Sequence, residues 1–289
     1  MEETIPGYII KKKIGVGGMA TIFLAEDIKH QNRPVALKLL HLQKTQDQLT
    51  VDRFIKEAKL LIQFEHINIV KGYEYGNFKS VYFFSMEYID GKSILEIIEK
   101  TGPLPEPMAL DITIQLAKAL EYIHREGIVH MDIKPANVII TKDTIVKLCD
   151  LGFAQPIGSG SHTHSDIETT SGTVQYMSPE QAMGQKDIDI RSDIYSLGVT
   201  LYHMVMGDIP FKGTNSLEVM AKQVLELLNS SVVKNRGISQ HMHYFIERMM
   251  AKEKELRYAN PTELIEDISA QIEGFKSLQF DAKKGKPKR

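Results

Sequence analysis

Ile128-Val129-His130-Met131-Asp132-Ile133-Lys134-Pro135-Ala136-Asn137 is the stretch on which the reading of this chain turns. It runs on into Val138-Ile139-Ile140 and is followed by Lys147-Leu148-Cys149-Asp150-Leu151-Gly152. Asp132, Lys134 and Asn137 fall in a short loop between two apolar segments, and Asp150 ends another. Two carboxylates and an amide oxygen on strand-end loops are hard oxygen ligands, which suit Mg²⁺ held together with phosphate. A decorative polar loop is the competing reading. The proline, the spacing and the apolar flanks weigh against it.

Working toward the N-terminus, Val35-Ala36-Leu37-Lys38 places a lysine at the end of an apolar strand, where its ammonium needs an anion. Val51 to Phe64 has helical period, with Val51, Phe54, Ile55, Ala58, Leu61 and Ile62 on one face, and offers one inward acid, Glu57. Taken singly, Lys38 and Glu57 also read as solvated surface charges. Before them stands Ile14-Gly15-Val16-Gly17-Gly18-Met19-Ala20-Thr21-Ile22. Its glycines allow backbone amides to approach phosphate oxygens, or make a plain hairpin turn. The strand-like Ile22 to Glu26 disfavours a dinucleotide fold, in which a helix would follow, and no Gly-Lys-Ser/Thr marks a P-loop.

The first third is β-rich: strands are expected at Tyr8–Ile14, Thr21–Glu26, Pro34–Leu40, Ile69–Tyr75 and Ser80–Tyr88. The Asn32-Arg33-Pro34 turn separates the second and third, and Gly76-Asn77 joins the last two. Helical patterning takes over after Gly91. Ser93 and Glu96 form a capping box, Pro105–Glu126 is a long amphipathic helix stopped at Gly127, and Asn260-Pro261-Thr262-Glu263 starts the last helix. The pattern suggests two lobes around a cleft, jointed near Tyr88 to Lys92. Leu197 to Met206 is apolar but far short of the roughly 20 residues that span a bilayer, so it reads as a buried core helix.

The 289 residues are 43% hydrophobic and 25% charged, an ordinary globular composition. With 35 basic against 37 acidic side chains, the net charge of −2 argues against nucleic-acid binding as the main function. One cysteine, Cys149, forms no internal disulfide and suits a reducing, cytoplasmic compartment. The acidic N-terminus lacks a signal-peptide pattern. Lys283 to Arg289 is a basic tail, read as a disordered end or as a juxtamembrane segment whose span lies beyond this chain.

In order along the chain, the glycine loop, V-A-L-K, Glu57, H-x-D-x-K-P-x-N, D-L-G, Gly172-Thr173 to Ser178-Pro179-Glu180, Asp193-Ile-Tyr-Ser-Leu-Gly198 and Arg257 resemble a protein kinase catalytic domain. The similarity is to the eukaryotic-like (Hanks-type) serine/threonine kinases, most of all the bacterial members. It covers roughly Tyr8 to Gly274. It implies an α+β, two-lobed fold: an N-lobe over 1–87, a hinge over 88–92, a mostly helical C-lobe over 93–275 and a basic tail over 276–289. It implies ATP and Mg²⁺ as cofactors, and proteins bearing serine or threonine as substrates.

By that resemblance Lys38, held by Glu57, contacts the α- and β-phosphates, and Asp150 and Asn137 bind Mg²⁺. Asp132 accepts the proton of the incoming hydroxyl, and Lys134 neutralises the γ-phosphate with Thr173 nearby. Gly15, Val16, Gly17, Gly18, Met19 and Ala20 cover the phosphates. Adenine lies between Ile14, Ile22 and Ala36 above and Ile139 below. Met86 guards the back of the pocket, the backbones of Glu87 and Ile89 serve as hinge, and Cys149 faces in. Glu180 and Arg257 form a buried ion pair, whereas Lys252 reads as a surface charge.

Three residues depart from the family pattern. Ala20 stands for the third glycine, Leu151 for the phenylalanine of D-F-G, and Met131 for the arginine of H-R-D. That arginine typically receives an activation-loop phosphate, so autophosphorylation among Ser159, Ser161, Thr163, Ser165, Thr169, Thr170 and Ser171 is expected to bring little gain. Lys59 is one cation that could stand in. The alternatives to a protein kinase are a pseudokinase acting as a nucleotide-binding scaffold and a small-molecule phosphotransferase. The first usually lacks one of the Lys, Asp or metal-binding residues, and the second the peptide-presenting segment.

Overall fold

A change of hydrophobic period, from strand to helix, divides the chain into its two lobes. The computed structural model describes residues 5–159, 174–228 and 237–283 (275–283 by backbone alone). The N-lobe is a five-stranded antiparallel sheet of β1 (Tyr8–Val16), β2 (Ala20–Asp27), β3 (Arg33–Leu40), β4 (Gly72–Phe78) and β5 (Val81–Glu87), in the order β1-β2-β3-β5-β4. β3 is central and buried from Val35 to Leu40. Leu37 and Leu39 join Ile5, Tyr8 and Ala25 in a small cluster, while Leu40 belongs to the main core. Lys38 therefore emerges on the face covered by helix α1 (Gln48–Gln63), which is capped by Asp47 and buries Val51, Phe54, Glu57, Ala58 and Leu61.

Three strand expectations are corrected. Gly76 and Asn77 do not turn the chain; they lie within β4 opposite Phe83 and Tyr82. Lys79 and Ser80 make the reversal, at φ 48 and 68. The glycine admits a neighbour instead, since a Cβ on Gly76 would come within 3.0 Å of the Phe83 ring. Likewise Gln31 and Asn32 (φ 57 and 55) form the turn before β3, and Pro34 lies inside the strand. The strand expected from Ile69 starts at Gly72.

The C-lobe carries helices α2 (Ile94–Thr101), α3 (Glu106–Arg125), α4 (Pro179–Ala182), α5 (Ile190–Met206), α6 (Ser216–Leu225), α7 (Gln240–Met249) and α8 (Pro261–Lys283). The Ser93–Glu96 capping box opens α2, and beyond α3 Gly127 has φ 74, where a side chain would be strained. α5, which contains Leu197–Met206, is buried almost throughout; a Cβ on its Gly198 would stand 2.7 Å from Met249 Cβ, so the glycine lets α5 and α7 touch. Strands β6 (Gly91–Ser93), β8 (Val138–Thr141) and β9 (Val146–Leu148) form a small sheet, and β7 (Ile128–Val129) pairs with β10 (Gln155–Pro156).

A second connection besides the 88–92 segment joins the lobes. Leu148 N–H donates to Asn68 O (2.8 Å), Val70 N–H donates to Leu148 O (3.0 Å), and the Asn68 amide donates to Val146 O (2.9 Å). Helix α8 runs to Lys283, so the boundary at 275 falls inside it. Gly172, Thr173, the hydroxyls from Ser161 to Ser171 and the basic end after Lys283 lie outside the described residues. Among the described residues no helix is long and apolar enough to cross a membrane.

Candidate active site

Above the cleft, the Lys38 ammonium donates to both carboxylate oxygens of Glu57, at 2.7 and 2.8 Å. Strand register sets this contact. Lys38 lies opposite Ile22 and Phe84, and Glu57 is on the buried stripe of α1. Burial alone would lower the Lys38 pKa, but Glu57 and Asp150 hold it above its ordinary value. One cation thus serves two acids. Burial favours the neutral form of Asp150, yet Lys38 and the Gly152 amide keep its pKa low; burial pushes Glu57 up to about 7. The Gly152 N–H donates to Asp150 Oδ1 (3.0 Å). A Cβ on Gly152 would lie 3.7 Å from Glu57 Oε2 and 3.9 Å from Met19 Cε, so the glycine loop, α1 and the D-L-G turn meet there.

Below the cleft, Lys134 Nζ bridges both Asp132 carboxylate oxygens at 2.9 and 2.8 Å, and Asn137 Nδ2 donates to Asp132 Oδ2 (2.8 Å) and O (3.0 Å). Burial raises Asp132 to about 6 against the pull of Lys134. Asp150 raises it further, which places the two carboxylates in one electrostatic field. Asn137 spends Nδ2 on Asp132, so its Oδ1 is not used in those bonds. No group of three or more His, Cys, Asp or Glu that could hold a metal occurs among the described residues. Asp150 and Asn137 offer hard oxygen donors of the kind that would suit a Mg²⁺ held together with phosphate.

The other expected residues fall around this centre. Gly17 N–H donates to Ala20 O (2.9 Å), closing the glycine loop between Val16 and Thr21. A Cβ on Gly18 would meet nothing within 4 Å, so the loop stands open at that point. Ile14 and Val16 are exposed and Ile22 is half-buried, while Gly15 packs beside Ile22 and Ala36 is buried opposite Met86. Ile139 is half-buried in β8 beneath Gly91. Glu87 N–H is committed to Lys71 O (2.8 Å), and Ile89 O accepts from Gly91 N–H (3.0 Å). Cys149 is half-buried, and burial pushes its thiol up to about 12.

The protein kinase domain model matches residues 8–268. The chain belongs to the protein kinase family. It is 36% identical over 282 residues to the serine/threonine-protein kinase PrkC of Bacillus subtilis, covering 98% of this chain and 42% of that protein. It is 35% identical over 262 residues to a probable serine/threonine-protein kinase of Clostridium acetobutylicum (91% and 39%). To the serine/threonine-protein kinase PknB of Mycobacterium leprae it is 34% identical over 259 residues (88% and 41%). The chain spans about two fifths of the length of these relatives.

The departures in this kinase domain have clear surroundings. Leu151 is buried in the main core. Met131 is buried with Val129 and Ile188 in an apolar cluster that Phe153 packs against, so its surroundings are oily. Lys59 lies 6.0 Å over Tyr75 of β4. Sequence reasoning named Asp193 without a role; its carboxylate accepts from His130 N–H and Met131 N–H, both at 2.8 Å. Burial raises it to about 7 in spite of those amides. An acid in the first turn of α5, just ahead of the apolar run Leu197–Met206, was the available signal. Gln181 was missed altogether.

Proposed function

We propose that this domain transfers the γ-phosphoryl group of Mg-ATP to serine or threonine hydroxyls of proteins. One observation carries the reading: Lys38–Glu57, Asp150 and the Asp132–Lys134–Asn137 group are all present and converge on one cleft. Bound Mg²⁺ would supply neutralisation of phosphate charge, held by Asp150 and Asn137. Lys38 binds the non-transferred phosphates, with Glu57 fixing its ammonium. Asp132, oriented by Lys134 and Asn137, accepts the proton from the acceptor hydroxyl oxygen, and Lys134 balances charge on the oxygens of the moving group. The names of the relatives support serine and threonine as acceptors. We extend the reading to autophosphorylation within 159–171, and to a cytoplasmic setting on the single cysteine.

The test is γ-labelled ATP with a general protein acceptor, comparing wild type, Asp132→Asn and Asp150→Asn. Label should appear on protein with wild type only. Asp132→Asn should keep ATP affinity within a few-fold, because Asp132 faces the hydroxyl and not the nucleotide. Near wild-type turnover in Asp132→Asn would remove that residue from the role of base. Nucleotide binding without any label would point to a scaffold.

A further inference from the structure

Asp132 depends on the residue before it. Met131 sits at φ 71, a left-handed conformation that costs a side-chain-bearing residue free energy. Such a turn persists only where its surroundings hold it on every side. Its N–H is held by Asp193 (2.8 Å), and its carbonyl accepts from Gln181 Nε2 (3.0 Å). Met131, Asp132 and Gln181 are all buried, so neither the carbonyl nor the amide can turn to water instead. The Met131 side chain offers no polar alternative, being packed among Val129, Ile188 and Phe153.

The Gln181 carboxamide works at both ends. Its Oε1 accepts from Ser178 N–H (3.1 Å), while Ser178 Oγ accepts from Gln181 N–H (3.3 Å), the capping box that starts α4. Its Nε2 reaches across 50 residues of sequence to the catalytic loop. One acceptor and one donor on the same flat group join the segment entering α4 to the peptide unit that leads into Asp132. A carboxylate keeps the first bond and loses the second, leaving two acceptors facing each other.

We propose that Gln181 is a positioning residue for phosphoryl transfer, holding the Met131 turn and thereby the Asp132 carboxylate in line with the acceptor hydroxyl. The inference rests on Asp132 being the base, as proposed above. It assigns to a neutral carboxamide part of the ordering that Met131, lacking charge and donor, cannot draw from a phosphate.

The experiment measures kcat, both KM values and Tm for Gln181→Glu and Gln181→Met, with Asp132→Asn and Ser239→Ala alongside. Ser239 caps α7 through Met242 N–H. Its alanine variant should lower Tm while leaving kcat unchanged well below the melting transition. Both Gln181 variants should lose at least about tenfold in kcat, which is ~1.4 kcal/mol in barrier, with KM for ATP and for the protein acceptor within about threefold on the same scale. If Gln181→Met, which adds no buried charge, keeps kcat within twofold of wild type while Asp132→Asn is inactive, the inference is wrong and the reading of the base stands. A rise in acceptor KM with unchanged kcat would also overturn it, by making Gln181 a docking residue. If wild type itself transfers no phosphate, the reading of function fails first.

Discussion

Two buried ion pairs, Arg257–Glu180 in the C-lobe and Lys38–Glu57 in the N-lobe, have opposite electrostatic settings. In the C-lobe, Arg257 binds both oxygens of Glu180 (2.6 and 2.9 Å), and Ser192 donates a third bond at 2.6 Å. The guanidinium also donates to the carbonyls of Ala251, Arg191 and Lys252. Burial would raise Glu180, but Arg257 holds its carboxyl below the ordinary value. In the N-lobe, the single charge of Lys38 is divided between Glu57 and Asp150, and Glu57 is left at about 7. The first pair is saturated, as befits a fastener. The second is one cation short, which is the condition of a site that is completed by a ligand.

Breaking each pair should expose the difference. Lys38→Met should cut turnover by about a thousandfold or more, ~4 kcal/mol in barrier. Its Tm should fall less than that of Arg257→Ala, because Glu57, already at about 7, takes up a proton, although Asp150 loses the same cation; a protein acceptor assay and a melting curve check both. Arg257→Ala should do the reverse. Leaving Glu180 without its partner costs ~3–5 kcal/mol, or roughly 10 °C in Tm for a chain of this size. The comparison is Lys142→Ala, which removes an exposed, solvent-screened ion pair with Asp90 and should leave Tm almost unchanged. Lys252 does not serve as that control. Its ammonium lies 4.3 Å over the Phe211 ring and donates to Gln223 O (2.7 Å), and burial pulls its pKa down to about 8.

Acid should sharpen the comparison further. The folded Glu180 has its pKa below the ordinary 4.5, so its contribution is complete above that value and is lost as pH falls through the depressed one. Without Arg257, Glu180 loses the strongest influence holding its pKa down, so its pKa rises and the variant gains protons more readily when folded. The Tm difference between wild type and Arg257→Ala should therefore narrow as pH is lowered from about 6 to about 3. The smallest effect is expected at Met131. Phosphatase-treated and autophosphorylated protein should differ by less than about fivefold at saturating Mg-ATP, under ~1 kcal/mol, since the Met131 cluster offers a phosphate no cation. A hundredfold rise would show that another cation receives it.

Much of this site was legible in the sequence because its polar residues occur in short strings at strand ends, where backbone period fixes their placement. Asp132, Lys134 and Asn137 are within hydrogen-bonding reach because they share one loop. Glu57 could be matched to Lys38 because only one acid lies on the apolar stripe of α1. What escaped notice depends on distant partners. Gln181 looks like any polar residue of a helix start until Met131 is beside it, and Lys252 like any lysine until Phe211 is beneath it. The β4–β5 reversal was misplaced for a different reason: Gly76 carries the composition of a turn but serves the packing of Phe83.

The seam at Asn68–Val70 and Leu148 has a mechanical consequence. The sheet and the helical lobe are tied by the covalent run through Tyr88 to Lys92 and by these short strand-like bonds behind the cleft. With this seam as a fulcrum, the sheet would act as a lever that carries the glycine loop between β1 and β2. A rotation about the seam would carry Gly17, Gly18 and Lys38 together, since all belong to one sheet, with Glu57 following on the helix packed against it.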